Sequence, residues 1–357
     1  MKIILFIDYL CSGGAQRQLI ELAKLIKTSV TADVTVATYH AENILKPALD
    51  EQEVKFRVIN GAENKFARIY RVYRFFLEEK PDIVISYLDS PNMIACICHC
   101  LYPKFRLIVS ERNTNQSFSV SDRVRFLLFR QAKYVIPNSY SQFEFISKNA
   151  PGLSGRLKVI TNCVDTERFA PKQDYSIRQP LRILTVARIT SQKNIPNYLL
   201  ALKTIKEHGV SFTAKWYGRY DDEKLYRMCL DLIHEYQPTD VFQFCGESTD
   251  LLPVYHDADL FCLPSLYEGF PNVVCEAMST GLPIACSNVC DNANIVEDGA
   301  NGVLFDPNDT DSIAHGLLRC IGLVSEKMGT ISIANREKMQ TLCSKAQFIK
   351  KYQELFS

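Results

Sequence analysis

The sequence predicts an α/β protein of two domains, each a mostly parallel sheet covered by helices on both faces. Three observations carry that expectation. Short apolar runs alternate with amphipathic stretches of helical period along most of the chain. The alternation breaks at FAPKQDYSIRQP (169–180), where two prolines and several polar residues show no period, and then restarts. The 357 residues are also enough chain for about two domains.

In the first domain, 1–170, strands are expected at 3–7, 34–37, 83–86, 106–109, 134–137 and 157–160. The apolar run at the start is cut by Asp8 and followed by two glycines, so it reads as a buried strand and not as a secretory leader. Helical patterns fill 16–26, 66–77, 91–100, 123–131 and 141–148; the first sets Leu19, Leu22, Ala23 and Ile26 on one sheet-facing stripe. In the second domain, 171–335, strands are expected at 181–186, 212–216, 241–244, 258–262 and 283–285. Helices are expected at 195–207, 222–235, 272–280 and 311–323, and a last one over 331–356 with Met339, Leu342, Ala346, Phe348 and Tyr352 as its apolar members. Two such domains leave a cleft between the carboxyl edges of their sheets, where small molecules bind.

Composition narrows the function. Thirteen cysteines spread from Cys11 to Cys343, mostly inside apolar runs, are expected as reduced core residues of a cytoplasmic protein. Cys96, Cys98, His99 and Cys100 resemble a metal tract by composition, but on a helix Cys98 points away from Cys96 and Cys100, so packing is the expected role and no metal site is expected. No run of about twenty apolar residues would span a membrane. The net charge of +1 hides an asymmetry: residues 1–170 carry 23 Lys or Arg against 17 Asp or Glu, and the rest of the chain is acidic. The basic residues gather with aromatic and aliphatic ones at 64–80 and 121–134, a pattern suited to helices on anionic lipid as well as to ordinary amphipathic packing. No nucleic-acid motif, Walker loop or zinc-protease motif is present.

The candidate site residues follow strands in both halves. YEGFPNVVCEAMSTGLP (267–283) is a loop running into a helix; it sets Glu268 before the helix and Glu276 about one turn inside it, with backbone N–H groups of Phe270 and Asn272 on either side of Pro271. Carboxylates placed so accept from sugar hydroxyls, while a helix start suits a phosphate. Arg188, after the strand at 181–186, and Lys193, at the next helix start, make a compact diphosphate site that would also offset charge growing on a departing phosphate. In SGGAQR (12–17), Gly13 and Gly14 allow close backbone approach and Arg17 adds a cation, but the G-x-G-x-x-G fingerprint is absent. Glu111, Arg112 and Asn113 leave a strand end together, where an acceptor would meet a donor, and Asn138 and Asn162 follow other strands and suit either a cleft or a structural role.

These motifs resemble glycosyltransferase family 4, whose members have the GT-B fold, two Rossmann-like α/β/α domains facing across a cleft, and retain anomeric configuration. The matching elements are SGGAQR (12–17), NCVDTERF (162–169), ARITSQKN (187–194), GES (246–248), PSLYEGFPNVVCEAMSTGLPI (264–284) and IVEDGANGVLF (295–305). The resemblance implies that Glu268 contacts the transferred sugar and Glu276 the ribose. It implies that Arg188 and Lys193 hold the diphosphate, and that the Gly13–Gly14 loop closes over the phosphates. It implies a metal-independent reaction with the nucleotide sugar as substrate and no cofactor, and a terminal helix, about 336–357, packed back on the first domain.

The chain departs from the family pattern at Cys163 and Ala187, where glycines are usual, at Arg112, where a histidine is common, and at Asn294, where an acidic residue is common. The EGFPN and SERN segments look most like bacterial members that transfer galactose or an N-acetylhexosamine from UDP to a glycan or a polyprenyl-diphosphate-linked saccharide. Such enzymes work at the inner face of the cytoplasmic membrane in lipopolysaccharide or capsule assembly, so peripheral contact through 64–80 and 121–134 is expected. The rival readings are a nucleotide-sugar hydrolase or epimerase of the same fold and a non-catalytic sugar-nucleotide-binding subunit.

Overall fold

The computed structural model describes residues 1–11, 13–61, 64–112, 117–236 and 241–356. It divides into a unit of Met1–Asn162 with Lys345–Ser357 and a unit of Cys163–Ser344.

The first unit runs β1 (Lys2–Phe6), α1 (Gly14–Ser29), β2 (Asp33–Thr38), α2 (Pro47–Asp50), β3 (Lys55–Val58), α3 (Lys65–Glu79), β4 (Ile83–Tyr87), α4 (Asp89–Leu101), β5 (Arg106–Glu111), α5 (Val120–Phe129), β6 (Tyr134–Pro137) and α6 (Tyr140–Asn149). Its sheet has the order β3-β2-β1-β4-β5-β6, parallel throughout. Alternation along β1 sends Ile4 and Phe6 into a core with Phe76 of α3, Ala95 of α4 and Phe129 of α5. On α1, Leu19, Leu22, Ala23 and Ile26 are fully buried, as their stripe predicts.

The strand expected at 157–160 is reduced to one bridge between Val135 and Leu157. Lys158 N–H and Ile160 N–H donate to the carbonyls of Val135 and Pro137, but Pro137 has no N–H to return, so the ladder stops. The edge strand β3, four residues long and half charged, is too short to read from its pattern.

The second unit runs β7 (Leu181–Val186), α7 (Ile195–Glu207), β8 (Phe212–Tyr217), α8 (Glu223–Tyr236), β9 (Phe242–Gly246), α9 (Leu252–His256), β10 (Leu260–Leu263), α10 (Asn272–Ser279), β11 (Ile284–Ser287), α11 (Asn292–Ile295), β12 (Gly302–Phe305) and α12 (Thr310–Leu342). Its parallel sheet has the order β12-β11-β10-β7-β8-β9. Ile183 faces a core with Leu202, Trp216 and Leu317, while Leu184 and Val186 face a second with Phe261, Val274 and Met278. Helices therefore cover both faces, the α/β/α layering of a GT-B domain.

Both sheets share one topology: the first strand of each is central, with the second and third to one side and the fourth to sixth to the other. The switch point lies between β1 and β4 in one unit and between β7 and β10 in the other, and the crevice beyond the carboxyl ends of such strands is where open α/β sheets bind ligands.

The single helix expected over 331–356 is two. Helix α12, bent at Lys327, ends at Leu342, and α13 (Lys345–Phe356) follows after Cys343 and belongs to the first unit. Segment 169–180, expected as an interdomain connection, lies in the second unit. It is fastened there by Lys172 Nζ donating to Ala258 O at 2.7 Å and by Tyr175 Oη donating to Thr280 O at 2.8 Å. Its polar groups satisfy carbonyls, which removes any periodic signal.

Cys96 and Cys98 are buried in α4, and burial pushes the Cys98 thiol up to about 12. Among the described residues no group of three or more His, Cys, Asp or Glu is placed to hold a metal ion, and no helix is long and apolar enough to cross a membrane.

Candidate active site

In the second unit the site starts from the end of β7. The indole of buried Trp216 donates to Ala187 O at 2.7 Å, and Ala187 N–H donates to Tyr217 O, which fixes the turn carrying Arg188. Gly218 packs beneath it with φ +154, and a Cβ there would sit 2.0 Å from Ala187 O. Only glycine fits.

Beyond Arg188 the chain makes a short turn at Ser191–Lys193 and enters α7 through Asn194, whose φ of 56 is left-handed. The Asn194 amide is tied to Pro307 O at 2.7 Å. Gln192 then joins this loop to the one after β10: Leu266 N–H donates to Gln192 O at 2.8 Å and Gln192 Nε2 donates to Tyr267 O at 2.7 Å. One backbone hydrogen bond and one from the Gln192 side chain thus fasten together the two loops flanking the switch point. Their tips meet in a direct ion pair between Lys193 Nζ and Glu268, whose side chains are only 12% and 10% exposed.

An ion pair so far out of water is costly unless both charges are used. Its geometry suits a ligand with an anion for Lys193 and hydroxyls for Glu268, each group preorganised by the other. Arg188 is held apart from this pair: it is exposed and bound to Asp221 Oδ2 at 2.9 Å, so the structure assigns the two cations to different carboxylates.

Glu276 lies on α10 and accepts from Tyr255 Oη at 2.9 Å. Tyr255 is fully buried. Burial, and then the Glu276 charge, hold its phenol well above the ordinary tyrosine pKa, so it stays a donor across the neutral range. Sequence reasoning missed it, because Tyr255 in an apolar helix gives no signal beyond packing. Phe270 and Pro271 are buried at the start of α10. The expected free amide of Asn272 is engaged, donating to Phe270 O at 3.0 Å, while Val274 and Cys275 N–H donate to Pro271 O.

In the first unit, Gly13 caps α1 and Gly14 opens it, with Arg17 exposed on the first turn. Ser12 and Asn113 lie outside the described residues. Glu111 and Arg112, read together in the sequence, part company. Glu111 is fully buried, with its Oε2 3.7 Å from Arg125 Nε, and Arg125 also binds Asp89 and Asp122. Arg112 turns to a different set: Nε donates to Ser110 Oγ at 2.7 Å, Nη1 to Asn162 Oδ1, and Nη2 to Tyr87 Oη and Tyr352 Oη at 3.0 and 3.1 Å. Asn138 is buried at the end of β6, its N–H donating to Glu111 O at 3.2 Å. The structure thus joins Arg112 with Asn162, and Lys193 with Glu268.

Residues 168–327 match the family model described as Glycosyl transferases group 1. The putative colanic acid biosynthesis glycosyltransferase WcaL of Escherichia coli is 31% identical over 185 residues, covering 50% of this chain and 45% of that protein. The match therefore spans about half the length of that relative. The GalNAc-alpha-(1->4)-GalNAc-alpha-(1->3)-diNAcBac-PP-undecaprenol alpha-1,4-N-acetyl-D-galactosaminyltransferase of Campylobacter jejuni is 26% identical over 331 residues, 89% of this chain and 88% of that protein. Among solved structures, Anabaena Alr3699/HepE in complex with UDP is similar with a TM-score of 0.85 at 21% identity, over 99% of both chains. With the layered sheets, the structural likeness gives the chain the GT-B fold, and its segment 168–327 is similar to the glycosyl transferases of group 1.

Proposed function

We propose that this chain transfers a hexose or N-acetylhexosamine, with retention, from a UDP-linked sugar to a glycan or polyprenyl-diphosphate-linked saccharide. The observation that carries this reading is the Lys193–Glu268 pair at the switch point of the second sheet. In the reaction the bond from the anomeric carbon to the diphosphate breaks and one to the acceptor oxygen forms on the same face. The leaving phosphate takes the acceptor's proton. Lys193, with Arg188 released from Asp221, offsets the charge growing on that phosphate. Glu268 accepts from hydroxyls of the sugar, and Glu276, aimed by Tyr255, accepts from the ribose. The charge is offset by the side chains of Lys193 and Arg188, so the reaction is expected to persist in EDTA.

The diphosphate-linked acceptor is supported by the Campylobacter relative, whose name places its own substrate on PP-undecaprenol. Such an acceptor lives in a bilayer, and α3 and α5 carry suitable outward groups. Phe66 and Tyr70 on α3, and Val120, Val124 and Leu127 on α5, are exposed beside Arg71, Arg74 and Arg123. We therefore place the enzyme peripherally on the cytoplasmic face of the membrane, within lipopolysaccharide or capsule assembly.

The test is a panel of UDP-sugars incubated with purified protein and a short-chain polyprenyl-diphosphate saccharide, with product anomers read by NMR. An α-linked product from an α-linked donor is expected. Free sugar released at the same rate without acceptor would instead make the protein a hydrolase, and binding without turnover would make it a non-catalytic subunit.

A further inference from the structure

The first unit contains two arginines whose charges are treated in opposite ways. Arg125 is buried and meets three carboxylates, Asp89, Glu111 and Asp122. Arg112, one residue from Glu111, meets none: among the described residues its partners are a serine, an asparagine and two tyrosines, all neutral. Its guanidinium also lies over the Tyr87 ring at 4.5 Å.

A largely desolvated cation surrounded only by dipoles is held in shape but not neutralised. Four of its five N–H donors are used by the named partners, which leaves one Nη1 N–H. The residue is half-buried, just past the carboxyl end of β5. The backbone behind it is strained as well: Leu88, next to Tyr87, holds φ 74 and ψ 160, a conformation that costs a non-glycine residue and persists only where neighbours over-determine it.

The clamp reaches across the sequence. Tyr352 belongs to α13, which returns to this unit after the whole second unit has been traversed. Arg106 Nη1 donates to Leu355 O at 2.8 Å, and Lys345 pairs with Glu21 at 3.1 Å, so α13 is fixed at both ends. Tyr87 Oη and Tyr352 Oη, the two acceptors of Arg112 Nη2, also share a hydrogen bond of 2.9 Å.

We propose that Arg112 is a preorganised receptor for a phosphate group, that the phosphate supplies the counter-charge the fold withholds, and that Tyr352 is its positioning residue. The inference rests on the transfer reading only for the source of the phosphate, which is either the nucleotide sugar or the diphosphate of a lipid-linked acceptor.

Calorimetric titration of the full chain separates these cases. Inorganic pyrophosphate, a UDP-sugar and a short-chain prenyl-diphosphate saccharide are each titrated into wild type, Arg112→Gln, Arg112→Lys and Tyr352→Phe. Arg112→Gln is expected to weaken pyrophosphate binding at one site by about tenfold. Arg112→Lys keeps the charge but loses the fork, and should recover only part of that loss. Tyr352→Phe is expected to lose about threefold with its melting temperature little changed, a split that a purely structural clamp would not produce. Whichever substrate arm falls in parallel names the source. Pyrophosphate binding that depends on Arg112, with neither substrate bound by wild type, would sink the transfer reading and leave the anion site standing. Equal pyrophosphate affinity in wild type and both Arg112 variants would overturn the inference.

Discussion

Lys193 and Glu268, seventy-five positions apart in sequence, form a direct ion pair because Gln192 fastens the loop after β7 to the loop after β10. This pair separates stability from chemistry. Lys193→Ala leaves Glu268 buried without its cation, so both melting temperature and turnover should fall, turnover by about 10²-fold or more. Adding Glu268→Gln removes the stranded charge. The double variant should regain melting temperature while turnover stays low. Recovery of both by the second substitution would show that Lys193 serves folding alone.

Tyr255 makes a narrower prediction. Its hydroxyl gives Glu276 a fixed direction, so Tyr255→Phe should weaken UDP binding by about fivefold, near 1 kcal/mol. Glu276→Ala should weaken it further, and Tyr255→Phe should add nothing in the Glu276→Ala background. Unchanged affinity in Glu276→Ala, measured by calorimetry, would remove the ribose role.

The sequence carried most of the architecture, since buried parallel strands and sheet-facing helices have distinct periods. It was silent where partners decide the outcome. The strand expected at 157–160 fails through a missing N–H on Pro137, and the short edge strands β3 and β12 have too few residues to show a period. The site was legible as loops after strands, because Arg188, Lys193, Glu268 and Glu276 all follow or flank strand ends. Their pairing was not, because it depends on β7 lying beside β10. Glu111 and Arg112 look like one cluster in sequence, yet neighbours at a strand end point to opposite faces, and only one of them meets Arg125.

Gly218 tests the turn that carries Arg188. A methyl group there would overlap Ala187 O, and the backbone already has a positive φ that alanine resists. Gly218→Ala should cost about 1–3 kcal/mol of stability, read as a lower midpoint in urea. Because the displaced atoms precede Arg188, KM for the nucleotide sugar should rise as well. A midpoint equal to wild type would mean that the close approach relaxes freely.

The outward faces of α3 and α5 give the last prediction. Arg68 is unsuited to a probe of lipid contact, because its guanidinium lies 4.5 Å from the Tyr39 ring centroid within the unit. Arg71, Arg74 and the 87% exposed Phe66 are the residues to change. Each basic residue near an anionic surface contributes about 1 kcal/mol. Arg71→Glu with Arg74→Glu removes two attractions and adds two repulsions, so sedimentation with phosphatidylserine vesicles should drop by at least about tenfold. Phe66→Ala should lower it independently of salt, since it removes apolar contact and no charge. Neutral vesicles should retain less wild-type protein than anionic ones. Equal sedimentation of all variants would make this face an ordinary solvated helix surface, its aromatics exposed without a partner.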